Sequence, residues 1–181
     1  MSGVTTIPVE DDFVADDLDQ LPDDGNRYEL VDGLLLVSPS PTERHQRGLG
    51  GLFVLLHAAA PPGVRVYGAP LDVRLTERVQ VQPDLIVVED GPPRDKLDRL
   101  PLLCVELLSP GTWRHDLVLK RRAYEREGIT SYWLVDPLTP SLTVLEPHGG
   151  AYVQVARVEG EQSWEATQPF PVTVVPAELL R

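Results

Sequence analysis

Apolar residues change their spacing several times along this chain, and each change marks an element. Between Val9 and Leu21, Phe13, Val14, Leu18 and Leu21 recur at helical intervals among acids, which predicts a short amphipathic helix after a frayed end at residues 1–8. The cluster Pro22-Asp23-Asp24-Gly25-Asn26 predicts a turn. Arg27 to Ser38, RYELVDGLLLVS, sets two β-prone runs around Asp32-Gly33, a dipeptide suited to a type I′ hairpin because both central residues take positive φ. Thr42 can then cap a helix from about Glu43 to Ala60, with Leu49, Leu52, Phe53 and Leu56 as its buried stripe and Gly48, Gly50 and Gly51 permitting close packing. Pro61-Pro62-Gly63 stops it.

Three strand candidates follow. Val64 to Leu75 alternates but is broken by Gly68 and Pro70, whereas Asp84 to Val88 and Leu102 to Leu108 are short continuous apolar runs, as in strands covered on both faces. The polar stretch Gly91 to Arg99 predicts a surface loop. Ser109-Pro110-Gly111-Thr112 leads into a helix from about Trp113 to Glu127, closed by Gly128, and Ser131 to Val135 reads as the next strand, with Tyr132 and Trp133 in the core. Leu142 to Glu165 predicts a hairpin around Gly149-Gly150 with a further strand near Trp164, and Phe170 to Leu180 a last strand and turn. This order of elements predicts an α/β or α+β sandwich, and 181 residues suffice for one domain with a sizeable core.

The net charge of −12 argues against strong non-specific nucleic-acid binding, which needs Lys and Arg against phosphates. Much of the excess is local, because Glu10, Asp11, Asp12, Asp16, Asp17, Asp19, Asp23 and Asp24 crowd the N-terminal segment, where a solvated face is expected; from Arg27 onward the chain is closer to neutral. No apolar run approaches the roughly 20 residues of a membrane span and no signal peptide is recognisable. A lone cysteine, Cys104, fits a reducing cytoplasm.

Against this background three polar residues stand out. Glu106 is the only polar residue in its apolar run apart from Cys104, and carboxylates are almost never buried without a partner. Strand periodicity groups it with Leu102, Cys104 and Leu108, opposite Leu103, Val105 and Leu107. Asp84 opens the preceding apolar run, and the two acids on adjacent strands would form an all-oxygen site suited to Mg²⁺ or Mn²⁺. Lys120 is one of only two lysines beside 14 arginines, on the helical stripe of Leu117 and Tyr124. It could orient a water or meet a phosphate, or simply pair with Asp116 one turn earlier. His45 and Glu29 are second-rank: a histidine in a first helical turn is more often a surface or capping residue than a ligand, and Glu29 could equally point outward from its strand. No HExxH, CxxC pair, P-loop, GxGxxG or GxSxG occurs.

The succession RYELVDG, SPSP with a following His, PDLIVV, VELLSP, a D-x-x-x-K helix and YWLVDP resembles the Uma2 family, formerly DUF820, of the PD-(D/E)XK nuclease superfamily. The resemblance covers about residues 27–155. It implies a restriction-endonuclease-like αβββαβ core, a mixed sheet flanked by helices, with an N-terminal hairpin and a C-terminal β extension. Residues 1–26 would form an acidic helix and turn, and 156–181 a β tail of the same domain. The superfamily pattern is Asp, then Glu-x-Lys; Asp84 and Glu106 match the acids, but Leu108 stands at the lysine, and the resemblance implies its transfer to Lys120. It implies a DNA endonuclease holding Mg²⁺ through Asp84, Glu106 and the backbone carbonyl of Leu107. Glu29 and His45 also match positions of the family pattern, and the resemblance implies that both line the pocket of Asp84 and Glu106. Alternatives are a non-catalytic binding or assembly module and hydrolysis of another phosphate ester. The C-terminal strands could also offer an edge for a homodimer.

Overall fold

A computed structural model describes residues 4–93, 96–109 and 113–181, the side chains of residues 113–117 excepted. The expected lead-in at 110–112, the side-chain pairing of Asp116 with Lys120 and the place of Leu117 on its stripe lie outside the described residues.

Where a frayed end is expected, strand β1 (Thr5–Pro8) runs antiparallel along the hairpin that follows, with Thr5 across from Val37 and Ile7 across from Leu35. All four β1 residues are exposed, so no alternation of apolar and polar positions announces them; the open edge of the hairpin supplies their partners. The expected amphipathic helix is a short 3₁₀ helix, Ala15–Gln20. Asp17 accepts the Val14 N–H at 2.8 Å, and this short helix suffices to bury Leu18 against Leu30 and Leu35. Its acids are not merely solvated: Asp16 pairs with Arg74 and Asp19 with Lys96.

Asp32 (φ 50°) and Gly33 (φ 82°) join β2 (Arg27–Val31) to β3 (Leu34–Ser38), the left-handed pair expected of the turn. Helix α1 (Glu43–Ala59) is capped by Thr42, whose side chain accepts the His45 N–H, and it buries Leu49, Leu52 and Leu56. A Cβ on Gly51 would collide with the Leu179 carbonyl, and one on Gly48 would sit 3.1 Å from the Leu107 side chain; the two glycines let neighbouring backbone approach the helix.

The run Val64 to Leu75 divides between two sheets, as β4 (Val64–Gly68) and β5 (Val73–Thr76), because the chain crosses layers around Pro70, which has no N–H for a ladder. A short strand the periodicity does not reveal, β6 (Val79–Val81), turns back along β5. Next come β7 (Leu85–Glu89), β8 (Leu103–Leu107), helix α2 (Trp113–Glu127), β9 (Tyr132–Asp136), the long hairpin β10 (Ser141–His148) and β11 (Ala151–Glu159), the ribbon β12 (Trp164–Ala166) and β13 (Val172–Val174), and a 3₁₀ turn, Pro176–Leu180.

The larger sheet orders its strands β11-β10-β9-β8-β7-β4, and the smaller one β1-β3-β2-β6-β5. Only β8 and β9 are parallel within the larger sheet, joined by α2 as a crossover. Stripped of the β5–β6 insertion, α1, β4, β7, β8, α2 and β9 make an αβββαβ core in a mixed sheet. On one face Leu103, Val105 and Leu107 meet α1, the β12–β13 ribbon and the last turn. On the other, Ile86, Cys104 and Tyr132 meet Ala123 and Tyr124 of α2 and Val31, Val79 and Val81 of the smaller sheet. Trp133 and Tyr132 are fully buried, as expected. No helix among the described residues is long and apolar enough to cross a membrane.

Candidate active site

In the antiparallel pair β7–β8, Leu85 lies across from Val105 and Ile86 across from Cys104. Continued, that register sets Asp84 against Glu106, on the face that carries Ile86 and Cys104. Both acids are buried, Asp84 to 3% and Glu106 to 5% exposure. Buried carboxylates must be paired, and each is paired differently.

Asp84 is held by three donors. Its Oδ2 accepts the Leu107 N–H at 2.7 Å and lies 3.1 Å from His45 Nε2, while Oδ1 accepts from Arg27 Nη1 at 3.1 Å. Burial alone pushes its pKa upward; the His45 hydrogen bond, the Arg27 charge and the Leu107 N–H outweigh burial and bring it to about 2. Asp84 is an anion. The His45 ring, reaching round the end of the sheet from α1, has no hydrogen-bond partner at Nδ1 among the described residues.

Glu106 faces α2. Its Oε1 accepts from Lys120 Nζ at 3.0 Å and from the Tyr124 hydroxyl at 3.0 Å; these residues, four apart, present one helix face to it. The same ammonium lies 2.8 Å from Glu29 Oε1, which also accepts the Gln82 N–H at 2.7 Å. Burial is the largest influence on Glu106, and with the nearby charges of Asp84 and Glu29 it overrides Lys120 and raises the pKa to about 7. Burial also works against Glu29, yet Lys120 and Arg27 win there and its pKa is lowered. Lys120 remains an ammonium, since Glu106 and Glu29 overcome the effect of its own burial.

All five side chains singled out from the sequence therefore meet in one cluster: Asp84 and Glu106 from the larger sheet, Glu29 from the smaller, Lys120 from α2 and His45 from α1. Leu107 joins through its backbone. Leu108, at the strand-lysine position, is half-buried at the end of β8, while Lys120 reaches Glu106 from α2. Three participants escape sequence reasoning. Arg27 shares a strand face with Glu29 and bridges it to Asp84 and the Gln82 carbonyl; its side chain keeps 27% exposure, unlike the buried Lys120. Tyr124 stands one helical turn beyond Lys120, and Gln82 ends the connection into β7. The RYEL spacing and the Lys120–Tyr124 interval were the available signals.

An αβββαβ core whose second and third strands set two buried acids face to face is the fold of PD-(D/E)XK nucleases. The chain belongs to the Uma2 family, described as "Putative restriction endonuclease", whose model matches residues 15–178. Its fold is shared by the crystal structure of "a putative nuclease belonging to DUF820" from Anabaena variabilis ATCC 29413, with TM-score 0.75 and 17% sequence identity over 93% of this chain and 97% of that one. At that identity the likeness speaks for the fold. No curated protein matches the sequence. The family's description points to a nuclease.

Proposed function

We propose that the chain is a metal-dependent endonuclease hydrolysing phosphodiester bonds of DNA, with Mg²⁺ as its ion and Mn²⁺ as a substitute. The observation that carries this reading is geometric: two buried strand acids, Asp84 and Glu106, face each other across the ladder, and with Glu29 they make three carboxylates against the two cations Lys120 and Arg27. A divalent cation would relieve that imbalance.

Among the described residues no three His, Cys, Asp or Glu side chains form a metal cage by themselves. That suits Mg²⁺, which keeps several waters and takes one or two carboxylates. The donors fit: Asp84 is ionised, and Glu106 Oε2 accepts none of the hydrogen bonds that hold Oε1. The Leu107 carbonyl would be the third donor, since the β7–β8 register continues to Pro83, which has no N–H to offer it. A bound divalent ion would supply neutralising charge at the phosphate and would acidify a nearby water.

The chain's own residues then divide the work. Lys120, locked between Glu29 and Glu106, would hold a fixed positive charge beside the reacting phosphoryl group and orient the attacking water. Glu29 keeps that ammonium charged and in place. Arg27 reaches Asp84 from the solvent side and could exchange that contact for a phosphate oxygen. His45 would steady Asp84 through Nε2.

A specific feature favours a second reading, a non-catalytic nuclease-fold module: both Asp84 oxygens are satisfied within the chain, and the strand lysine is absent. Mn²⁺ titration followed by water-proton relaxation, on wild type and Asp84→Asn, separates the two. Saturable binding lost in the variant, together with Mg²⁺-dependent cleavage of plasmid DNA that drops to background, is expected. Binding indifferent to the substitution would leave the module. Metal binding without cleavage of DNA would move the reading to another phosphate ester.

A further inference from the structure

Beside the first turn of α1 the surface opens into a groove of about 460 Å³. Arg44, Arg47 and the acid Glu43 stand on one wall, and Pro137, Leu138 and Leu180 form the other, so the wall carries one net positive charge. We infer that this groove binds the phosphodiester backbone of a nucleic-acid strand at a link flanking the one held at Asp84 and Glu106. The inference rests on the nuclease reading above and adds to it the path of the strand.

Position is the first ground. His45 lies between the two arginines in sequence and turns inward to Asp84, whereas Arg44 and Arg47 turn out to the groove. One helical turn, about 5.4 Å of rise, thus carries both the Asp84 contact and the groove wall. Gly48, one residue after Arg47, packs closely on the sheet: a Cβ there would meet the side chains of Leu180 and Pro137, which line the groove, and of Leu107, whose N–H holds Asp84.

Charge is the second. In this acidic chain exposed arginines commonly hold a carboxylate: Arg65 holds Asp90, Arg126 holds Asp32, Arg157 holds Glu159 and Arg181 holds Glu161. Arg44 is exposed and holds none among the described residues. Arg47 pairs only with Glu43, and with side-chain exposures of 56% and 86% that pair is in full contact with water, where such bridges contribute little. Arg44 is free to take phosphate oxygens in the two-pronged geometry arginine favours, and Arg47 can exchange its water-exposed Glu43 contact for one. The opposite wall is apolar, and Leu138 at 56% exposure offers a surface for sugar or base.

The test measures binding without cleavage. Full-length protein in EDTA is titrated into fluorescent DNA and RNA oligonucleotides at several salt concentrations and followed by anisotropy. Arg44→Ala/Arg47→Ala should weaken binding at least tenfold and flatten the plot of log K against log salt by about two. Arg44→Lys/Arg47→Lys should keep the slope. Arg65→Ala/Arg157→Ala, which removes the same charge outside the groove, should leave it unchanged, and melting temperatures report folding. The DNA and RNA arms identify which backbone enters. Equal losses in both alanine doubles, an unchanged slope, or no binding of either nucleic acid by wild type would overturn the inference. A groove-dependent strand affinity in a protein that cleaves nothing would keep the groove and remove the catalytic reading; cleavage with groove-independent binding would do the reverse.

Discussion

Glu29 and Glu106 grip the same ammonium, at 2.8 and 3.0 Å from Lys120 Nζ, both buried, and their protonation moves in opposite directions. Glu29, on the smaller sheet, adds the Gln82 N–H and the Arg27 guanidinium to Lys120 and stays an anion. Glu106, on the larger sheet, adds only the Tyr124 hydroxyl and has Asp84 across the ladder. The smaller sheet brings an acid with enough positive charge; the larger brings a pair in which Asp84 is compensated and Glu106 is not. A shared salt bridge therefore says little about the state of a buried carboxylate until every neighbour is included.

Removing the shared cation breaks the comparison most severely. Lys120→Met leaves two buried acids facing each other and should cost about 3–5 kcal/mol in urea unfolding at neutral pH. A loss below about 1 kcal/mol would show that the ammonium does not hold the two sheets together.

Glu29→Gln comes next. It keeps an acceptor for the Gln82 N–H but takes a carboxylate from two cations, and should cost about 2–3 kcal/mol.

Glu106→Gln sharpens the contrast through pH. The folded-state pKa of Glu106, about 7, lies above the ordinary glutamate value of 4.5, so the folded protein holds an extra proton between these values. Its contribution to stability is full below about 4.5 and is lost as pH rises through 7. At pH 5 the amide variant should match wild type within about 1 kcal/mol, and at pH 8 without metal it should be the more stable by about 2 kcal/mol. Asp84 runs the other way: with its pKa lowered from 3.8 to about 2, its contribution is present above 3.8 and lost as pH falls through 2. Unfolding of both proteins across pH 3–9 checks the sign at Glu106, and unfolding of wild type against Asp84→Asn down to about pH 1.5 checks the sign at Asp84.

Tyr124→Phe is the mildest change, about 1 kcal/mol, and by removing a donor from Glu106 Oε1 it should move the proton-linked onset of Mn²⁺ binding to higher pH. An unshifted onset would mean that Glu106 does not gate the ion.

What local chemistry dictates was legible in the residues. Asp32-Gly33 specifies its turn through backbone freedom, Thr42 caps α1 by a hydrogen bond three residues away, and the apolar runs around Asp84 and Glu106 admit only covered strands. Glu106 declared itself because a lone carboxylate in such a run requires a partner. Strand β1 did not, since its exposed residues carry no alternation and depend on an edge supplied by residues 34–38. Strand β6, three residues long, is too short for a period to show, and the division of residues 64–75 between two sheets depends on where other strands leave room.

By itself, then, the sequence determined the two main helices, the hairpins, the covered strands and the acids that had to find partners, while the αβββαβ core came from the family resemblance. Only the tertiary structure decided which partners they found. It turned Lys120 to Glu29 and Glu106, sent Arg27 across to Asp84, and left Arg44 without a carboxylate among the described residues. Periodicity governs which face a side chain takes, over a few residues. The charge balance of a buried cluster depends on distances between elements far apart in the chain, and these exist only once the sheets have packed.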